Sequence, residues 1–285
     1  MAFLINPSIH GGGSTSIDLD TILTSGIMIL SLRKLSDSYS GNCIKVRRSS
    51  DNTTLDVGFT GGLGTWVDDS AINTFIGGGT GYVDTWYDQS GNGYNVAQTT
   101  LTYQPVLVAD VFSLTGGTSF SIQFDGTDDN LHVDGVSNVF GASANLTMLL
   151  SYRLVGSGFD TMFSTGSTAA SPASSIRYLR YSTAGRLYIN GYLNGLSGNS
   201  PTIAEQATIE YDGVNQSWTA NDGTPDTLAA TGMTAKRYFA IGAAGSTGTQ
   251  GWQGEIAEMI WTDESLSAGN VDTIRDDENA IYTLY

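Results

Sequence analysis

Apolar and polar residues alternate along much of this chain with a period of two. Ile44-Lys45-Val46-Arg47, Phe120-Ser121-Ile122-Gln123-Phe124 and Leu146-Thr147-Met148-Leu149-Leu150-Ser151-Tyr152-Arg153-Leu154 each turn one set of side chains to a core and the other to solvent, as a half-buried strand does. Further strands are predicted at Tyr82 to Tyr87, Ser175 to Tyr181, Arg186 to Ile189, Thr208 to Tyr211, Tyr238 to Ile241 and Glu255 to Trp261, rich in aromatic and β-branched residues. Between them stand Asp125-Gly126, Asn190-Gly191, Asn194-Gly195, Asp212-Gly213 and Asp222-Gly223, whose glycines suit tight hairpins. Many short strands with frequent turns predict an all-β antiparallel sandwich or barrel, not βαβ units.

Helical patterns are few. Short helices are predicted over Ser31 to Tyr39 and Asp68 to Ile76, the second opening on acids that suit the positive end of the helix dipole. Ser265 to Tyr282 carries Val271, Ile274 and Ile281 on one side and Asp276, Asp277 and Glu278 on the other, so an amphipathic helix is expected to cap the sheet.

Composition narrows the picture. The chain has 285 residues and 40% hydrophobic content, enough for a sizeable core and consistent with one main domain. Twenty-eight acids against twelve bases give a formal charge of −16, which argues against nucleic acid and anionic membranes as partners. Cys43 is the sole cysteine, so the fold is expected to hold by packing, without an intrachain disulfide, and to tolerate a reducing cytosol. Gly11-Gly12-Gly13-Ser14-Thr15-Ser16 has linker composition. It divides the chain into a docking segment with its tether, residues 1–26, with Phe3, Leu4 and Ile5 as docking residues, and a domain over 27–285. The N-terminus lacks the basic region of an export signal, and the longest aliphatic run, Ile27-Met28-Ile29-Leu30, falls far short of the roughly 20 residues of a membrane-spanning helix.

Three stretches together carry a resemblance: Ser31-Leu32-Arg33-Lys34-Leu35-Ser36-Asp37-Ser38-Tyr39-Ser40-Gly41, Ile44-Lys45-Val46-Arg47-Arg48-Ser49-Ser50-Asp51, and Thr85-Trp86-Tyr87-Asp88-Gln89-Ser90-Gly91-Asn92-Gly93. They resemble the N-terminal half of the catalytic domain of the α-L-arabinofuranosidase B family. Phe124-Asp125-Gly126-Thr127-Asp128-Asp129-Asn130-Leu131 and Gly254-Glu255-Ile256-Ala257-Glu258-Met259-Ile260 look like laminin G-like, concanavalin A-like domains. Both relatives imply an all-β, two-sheet antiparallel jelly-roll sandwich with a few short helices. Similar modules occur in bacteriophage structural proteins, some with starts like Met1 to Pro7.

Retaining glycoside hydrolysis needs two carboxyls about 5 Å apart. The resemblance places the acid/base Asp after an Ile-Gly-Gly string, where this chain has Ala240-Ile241-Gly242-Ala243-Ala244, with Ala244 at the acid's place. It places the nucleophile in a Leu-Glu-Asn-Gly string, where this chain has Tyr192-Leu193-Asn194-Gly195, with Leu193 there. The family's paired cysteines are absent. Glu205, Glu210, Asp212, Asp222 and Asp226 are the acids from which a displaced pair would be built, although their Asp-Gly contexts suit turns.

Other chemistry finds little support. His10 and His132 are the only histidines, and His132 reads as a half-exposed strand residue. The glycine strings lack the lysine and the strand-to-helix setting of a phosphate loop. Asp125, Asp128 and Asp129 are dense enough in oxygen to offer a calcium site, or else to form a hydrogen-bonded turn; no other cofactor is implied. The Asp88-Gln89-Ser90 loop is expected to serve the scaffold. For carbohydrate contact, Trp218 with Asn215 and Trp252 with Gln250 are the candidates, whereas Trp86 and Trp261 read as core. Arg33, Lys34, Lys45, Arg47 and Arg48 form a basic cluster, expected to pair within the chain with the acids of 272–278 or else to join copies in a homo-oligomer.

The expectation from sequence is therefore a non-catalytic virion surface protein. It would be a capsid decoration or tail-associated adhesin, assembled in the host cytoplasm, attached to other virion proteins through residues 1–10 and contacting host-surface glycans. The alternatives are an arabinofuranosidase-type hydrolase with a displaced carboxylate pair, and a bacterial surface lectin.

Overall fold

The computed structural model describes residues 16–109, 120–134, 145–156, 159–166, 176–181, 184–189, 196–197, 204–229, 236–244 and 251–284. The first strands are β1 (Gly26–Ser31), β2 (Ile44–Arg48), β3 (Thr54–Val57), β4 (Gly81–Trp86), β5 (Val96–Ala97), β6 (Val106–Ala109), β7 (Phe120–Asp125), β8 (Leu131–Val133) and β9 (Leu146–Leu154). They are followed by β10 (Phe159–Gly166), β11 (Ile176–Tyr181), β12 (Ala184–Ile189), β13 (Leu196–Ser197), β14 (Ala204–Tyr211), β15 (Asn215–Ala220), β16 (Asp226–Ala229), β17 (Tyr238–Ile241) and β18 (Gln253–Thr262). Among the described residues there are two α-helices, α1 (Asp69–Ile76) and α2 (Ala268–Tyr282).

All strand pairings among the described residues are antiparallel. One layer runs β3-β2-β4-β6-β7-β18-β9-β14-β15-β16, and β1 joins the second half of β18 on the edge that β7 occupies along the first half. The other runs β5-β8-β17-β10-β11-β12-β13. Strand β4 bridges them, pairing Tyr82 with Val106 and Thr85 with Ala97. One buried cluster joins Val46, Trp86, Ile122, Ile256 and Trp261 of the first layer to Leu131, Met162, Phe163, Phe239 and Ile241 of the second. The period-two pattern thus yields the expected two-sheet sandwich, because alternate residues have a partner sheet to bury against.

The predicted helix over Ser31 to Tyr39 is not formed. Its amide protons are claimed elsewhere: Lys34 N–H donates to the Thr65 carbonyl, Leu35 to Gln89, Asp37 to Asp18 and Ser38 to Asp20. With those bonds made, no helical ladder is left to nucleate. Helix α1 does form, capped by the Asp68 carboxylate accepting from Ala71 N–H (2.9 Å) and stopped by Gly77 at φ 59°.

Helix α2 also forms, with Val271 and Ile274 buried, but Asp277 and Glu278 lie toward the sheet instead of solvent. Arg33 explains this for Asp277. Its guanidinium donates to both oxygens of the buried Glu258 (2.9 and 3.0 Å) and pairs through Nη1 with Asp277. Ser31 and Tyr282 hydroxyls donate to the same Glu258 carboxylate. Fully buried Glu278 has its carboxyl pushed well up by burial and then by the Glu258 charge. Of the basic cluster, only Arg33 reaches the acidic C-terminal helix; Lys45 and Arg48 pair locally with Asp56 and Asp51.

From Ile17 onward the supposed tether is part of the body: Ile17, Leu19, Ile22 and Leu23 pack with Leu149, Ile260, Val271 and Ile274. Phe3, Leu4 and Ile5 lie outside the described residues.

The Asp88-Gln89-Ser90 loop is a scaffold device, as its side-chain chemistry suggested. The buried Asp88 carboxylate accepts from the N–H groups of Ile29, Ser90 and Tyr94 and from the Ser90 hydroxyl. Gln89 donates to the Ser31 and Arg33 carbonyls. Together they clamp the end of β4 to β1. Asp88→Ala strands several buried donors and is expected to cost about 2–3 kcal/mol, readable from the midpoint of urea unfolding.

Candidate active site

Strand β7 ends at Asp125, and the chain turns sharply through Gly126 at φ 81°. The turn is set by Asp125, whose Oδ1 accepts from the N–H of Thr127 (2.7 Å) and of Asp128 (3.4 Å). Asp129 Oδ2 accepts from Asp125 N–H at 3.0 Å, folding the third acid back over the strand end. As a result Asp125, Asp128 and Asp129 bring carboxylate oxygens within 4.8 Å of one another. Asp125 is exposed, Asp128 half-buried, and Asp129 only 6% exposed.

This loop is held from behind. Asn130 donates to the Asp128 carbonyl and accepts from the buried Gln98 amide (2.8 Å), and Gln104 donates to the Gln98 carbonyl (2.7 Å). Gln104 in turn accepts from Arg47 Nε. On the other side Gly242, at φ 87°, lies so close that a Cβ there would stand 2.2 Å from Phe124 and 2.8 Å from the Asp129 carbonyl oxygen. Gly242→Ala is therefore expected to cost about 1–3 kcal/mol and to displace the Asp129 loop, seen as a lowered melting temperature with altered Asp129 amide shifts.

Asp125 and Asp129 line a cleft of about 500 Å³ whose other walls are Arg47, Ser49, Tyr82, Leu101, Thr102, Gln104 and Val106. Register explains the shared face. Arg47 pairs with Tyr82, Tyr82 with Val106, and Val106 with Gln123, two residues before Asp125. Residues paired directly or two apart along a strand point the same way. Burial, then the charges of Asp125 and Asp128, push the Asp129 carboxyl up to about 7, against the opposing hydrogen bond from the Asp125 backbone. A carboxyl held partly protonated at neutral pH beside a second carboxylate has what a proton donor and its anionic partner require.

A second polar cleft, about 320 Å³, is lined by Glu210, Asp212, Asn215, Ser217, Thr227 and Ser265 among others. Burial raises the Glu210 carboxyl, while the N–H groups of Asn215 and Val214 lower that of Asp212. Asp212 is occupied as a turn residue by those two bonds (2.6 and 2.8 Å). The other acids considered do not join it as a pair: Glu205 is buried under the Tyr152 hydroxyl (2.8 Å), and Asp222 and Asp226 are exposed.

The proposed sugar platforms are not platforms. Trp252 is fully buried between Phe124 and Tyr152, and Trp218 is 3% exposed in the core. The polar neighbours of Trp218 misled because adjacent residues on a strand face opposite ways: Ser217 and Thr219 flank it on the other side of β15. Asn215 is half-buried at the second cleft, and Gln250 lies outside the described residues. His132 sits half-buried on β8 with Nδ1 3.2 Å from Asn130 Oδ1. Sequence reasoning missed Arg47, Tyr82 and Gln104 as cleft residues; their same-face positions become visible only once the cross-strand register is known.

Residues 29–118 match the family model of the α-L-arabinofuranosidase B catalytic domain. The chain resembles that catalytic domain in fold as well. A GH54 α-L-arabinofuranosidase variant soaked with 4-nitrophenyl α-L-arabinofuranoside superposes with a TM-score of 0.71 at 16% identity, over 90% of this chain and 62% of that one. An arabinofuranosidase complexed with arabinofuranosyl-α-1,2-xylobiose gives 0.69 at 19% identity with the same coverage. A GH54 enzyme soaked with a cyclic sulfate inhibitor gives 0.70 at 17%. The chain thus spans 62% of the length of these arabinofuranosidases. No curated protein sequence matches it.

These findings overturn the expectation of a non-catalytic virion surface protein, capsid decoration or tail adhesin, because the matches are to a glycoside hydrolase catalytic domain. The inference from missing carboxyls was too strong. Ala244 is buried at the first of the two places, but position 193 lies outside the described residues, and a different pair of acids is present in a cleft of the fold.

Proposed function

We propose that this domain is an arabinofuranosidase-type glycoside hydrolase whose displaced carboxylate pair is Asp129 and Asp125. The observation that carries the proposal is the Asp129 carboxyl, buried, raised to about 7, and within 4.8 Å of a second carboxylate at the wall of an open cleft. That spacing suits the retaining arrangement, in which the two carboxyls stand about 5 Å apart.

Asp129 gives its proton to the glycosidic oxygen as the bond from that oxygen to the anomeric carbon breaks. Asp125 attacks the same carbon through Oδ2, since Oδ1 is engaged by the Thr127 and Asp128 amides. Asp129, now a carboxylate, takes a proton from the water that releases the sugar and returns Asp125 to its starting state. Asp125 is exposed and Asp129 is held by the folded-back loop, so substrate approaches from the Asp125 side.

The test is turnover of 4-nitrophenyl α-L-arabinofuranoside and of an arabinose-substituted oligosaccharide by the intact chain and by Asp125→Asn, Asp129→Asn and Glu210→Gln. Oligosaccharide turnover lost with either cleft aspartate and kept in Glu210→Gln supports the proposal. Activity lost only in Glu210→Gln would move the chemistry to the second cleft.

A further inference from the structure

Arg47 is 5% exposed, and among the described residues no carboxylate forms an ion pair with it. Buried Arg33, by contrast, has two acids. Buried guanidinium groups are ordinarily paired, because removing the charge from water costs several kcal/mol per ion. Arg47 instead meets neutral acceptors only: Nε donates to Gln104 Oε1, Nη1 to Asn52 Oδ1 and Nη2 to the Leu101 carbonyl. A guanidinium has five N–H donors, so one remains on each Nη. Its Cζ lies over the Tyr82 ring, 4.3 Å from the centroid, at the cleft wall.

We propose that Arg47 is an anion subsite and that the cleft takes a carboxylate-bearing sugar, a uronic acid residue, with its carboxylate on the two free Nη donors. This rests on the cleft being the saccharide site. A planar carboxylate matches a guanidinium edge better than any hydroxyl does, and pairing with it would supply the counter-charge that the fold leaves out.

The experiment is calorimetric titration of the intact chain with methyl β-D-glucuronide, methyl β-D-glucoside and sodium acetate. The glucuronide is expected to bind at least tenfold more tightly than either. Arg47→Met, which keeps a stem on Tyr82, is expected to abolish that preference, and Thr102→Trp, which fills the cleft from its exposed rim, to abolish glucuronide binding. Equal affinity for glucuronide and glucoside, equal affinity for acetate, a preference that survives Arg47→Met, or binding undisturbed by Thr102→Trp would each overturn the proposal. If Arg47→Met does not fold, the wild-type comparison and Thr102→Trp decide. Arabinofuranoside turnover is read separately, so glucuronide preference without turnover rejects the hydrolase reading alone, and turnover without preference rejects the subsite alone.

Discussion

Replacing Asp129 by Asn is expected to lower kcat/KM on an unactivated arabinoside by about 10²–10⁴-fold, the usual contribution of a positioned general acid. With a 4-nitrophenyl leaving group the loss should be smaller, because nitrophenolate departs without protonation. The wild-type rate should fall as pH rises through about 7, where the Asp129 carboxyl loses its proton. Stability should move in the same direction. The folded-state value lies above the ordinary 3.8, so the folded protein holds a proton that the unfolded chain releases between those limits. Stability is therefore greatest below about pH 4 as far as this group is concerned, and declines as pH rises toward 7. Asn, which cannot ionise, removes that decline. Asp129→Asn should thus be strongly impaired on the unactivated arabinoside yet melt higher than wild type at pH 8, a combination that simple misfolding does not produce. A variant that is both inactive and less stable at that pH would remove Asp129 from the mechanism.

The second large effect concerns Arg33. Its guanidinium, fully buried, is shared by Glu258 and Asp277, and Tyr282 and Ser31 complete the set of hydrogen bonds around Glu258. Arg33→Met leaves two buried acids without a cation, which is expected to cost about 3–5 kcal/mol. The deficit should shrink in acid, where the orphaned carboxyls protonate, and guanidinium unfolding at pH 5 and pH 8 would show this. An equal loss at both pH values would mean that Arg33 acts through packing alone. Helix α2 is the element most exposed to the change, because Asp277 and Glu278 turn toward the sheet from it.

The architecture was readable from the sequence wherever burial alternates. Strands β2 and β7 follow the apolar positions of Ile44 to Arg47 and Phe120 to Phe124 because one face meets the opposing sheet, whereas β9 is buried along nearly its whole length, with Leu149 packed against Val271 and Ile274 of α2. The stretch from Ser31 to Tyr39 was misread because its irregular path is fixed by Asp18, Asp20, Thr65 and Gln89, distant in sequence. The same limit hid the site. Asp125, Asp128 and Asp129 were visible as a local cluster, but what raises the Asp129 carboxyl is first of all burial, supplied by the whole loop and its supports. Arg47 read as one member of a basic cluster, when its neighbours Tyr82, Gln104 and Leu101 come from two other segments. Arg33, Glu258 and Glu278 could not be assigned to the interior by composition, since charged side chains default to the surface unless a specific partner is known.

Strand β18 follows every other strand in chain order, yet it is the seam to which β1, β7 and β9 are all stitched. A growing chain emerging from the ribosome must therefore carry those three unmated edges until residue 253 and beyond have been made. Folding of this domain is obliged to be late, closing around its final strand instead of building outward from its first.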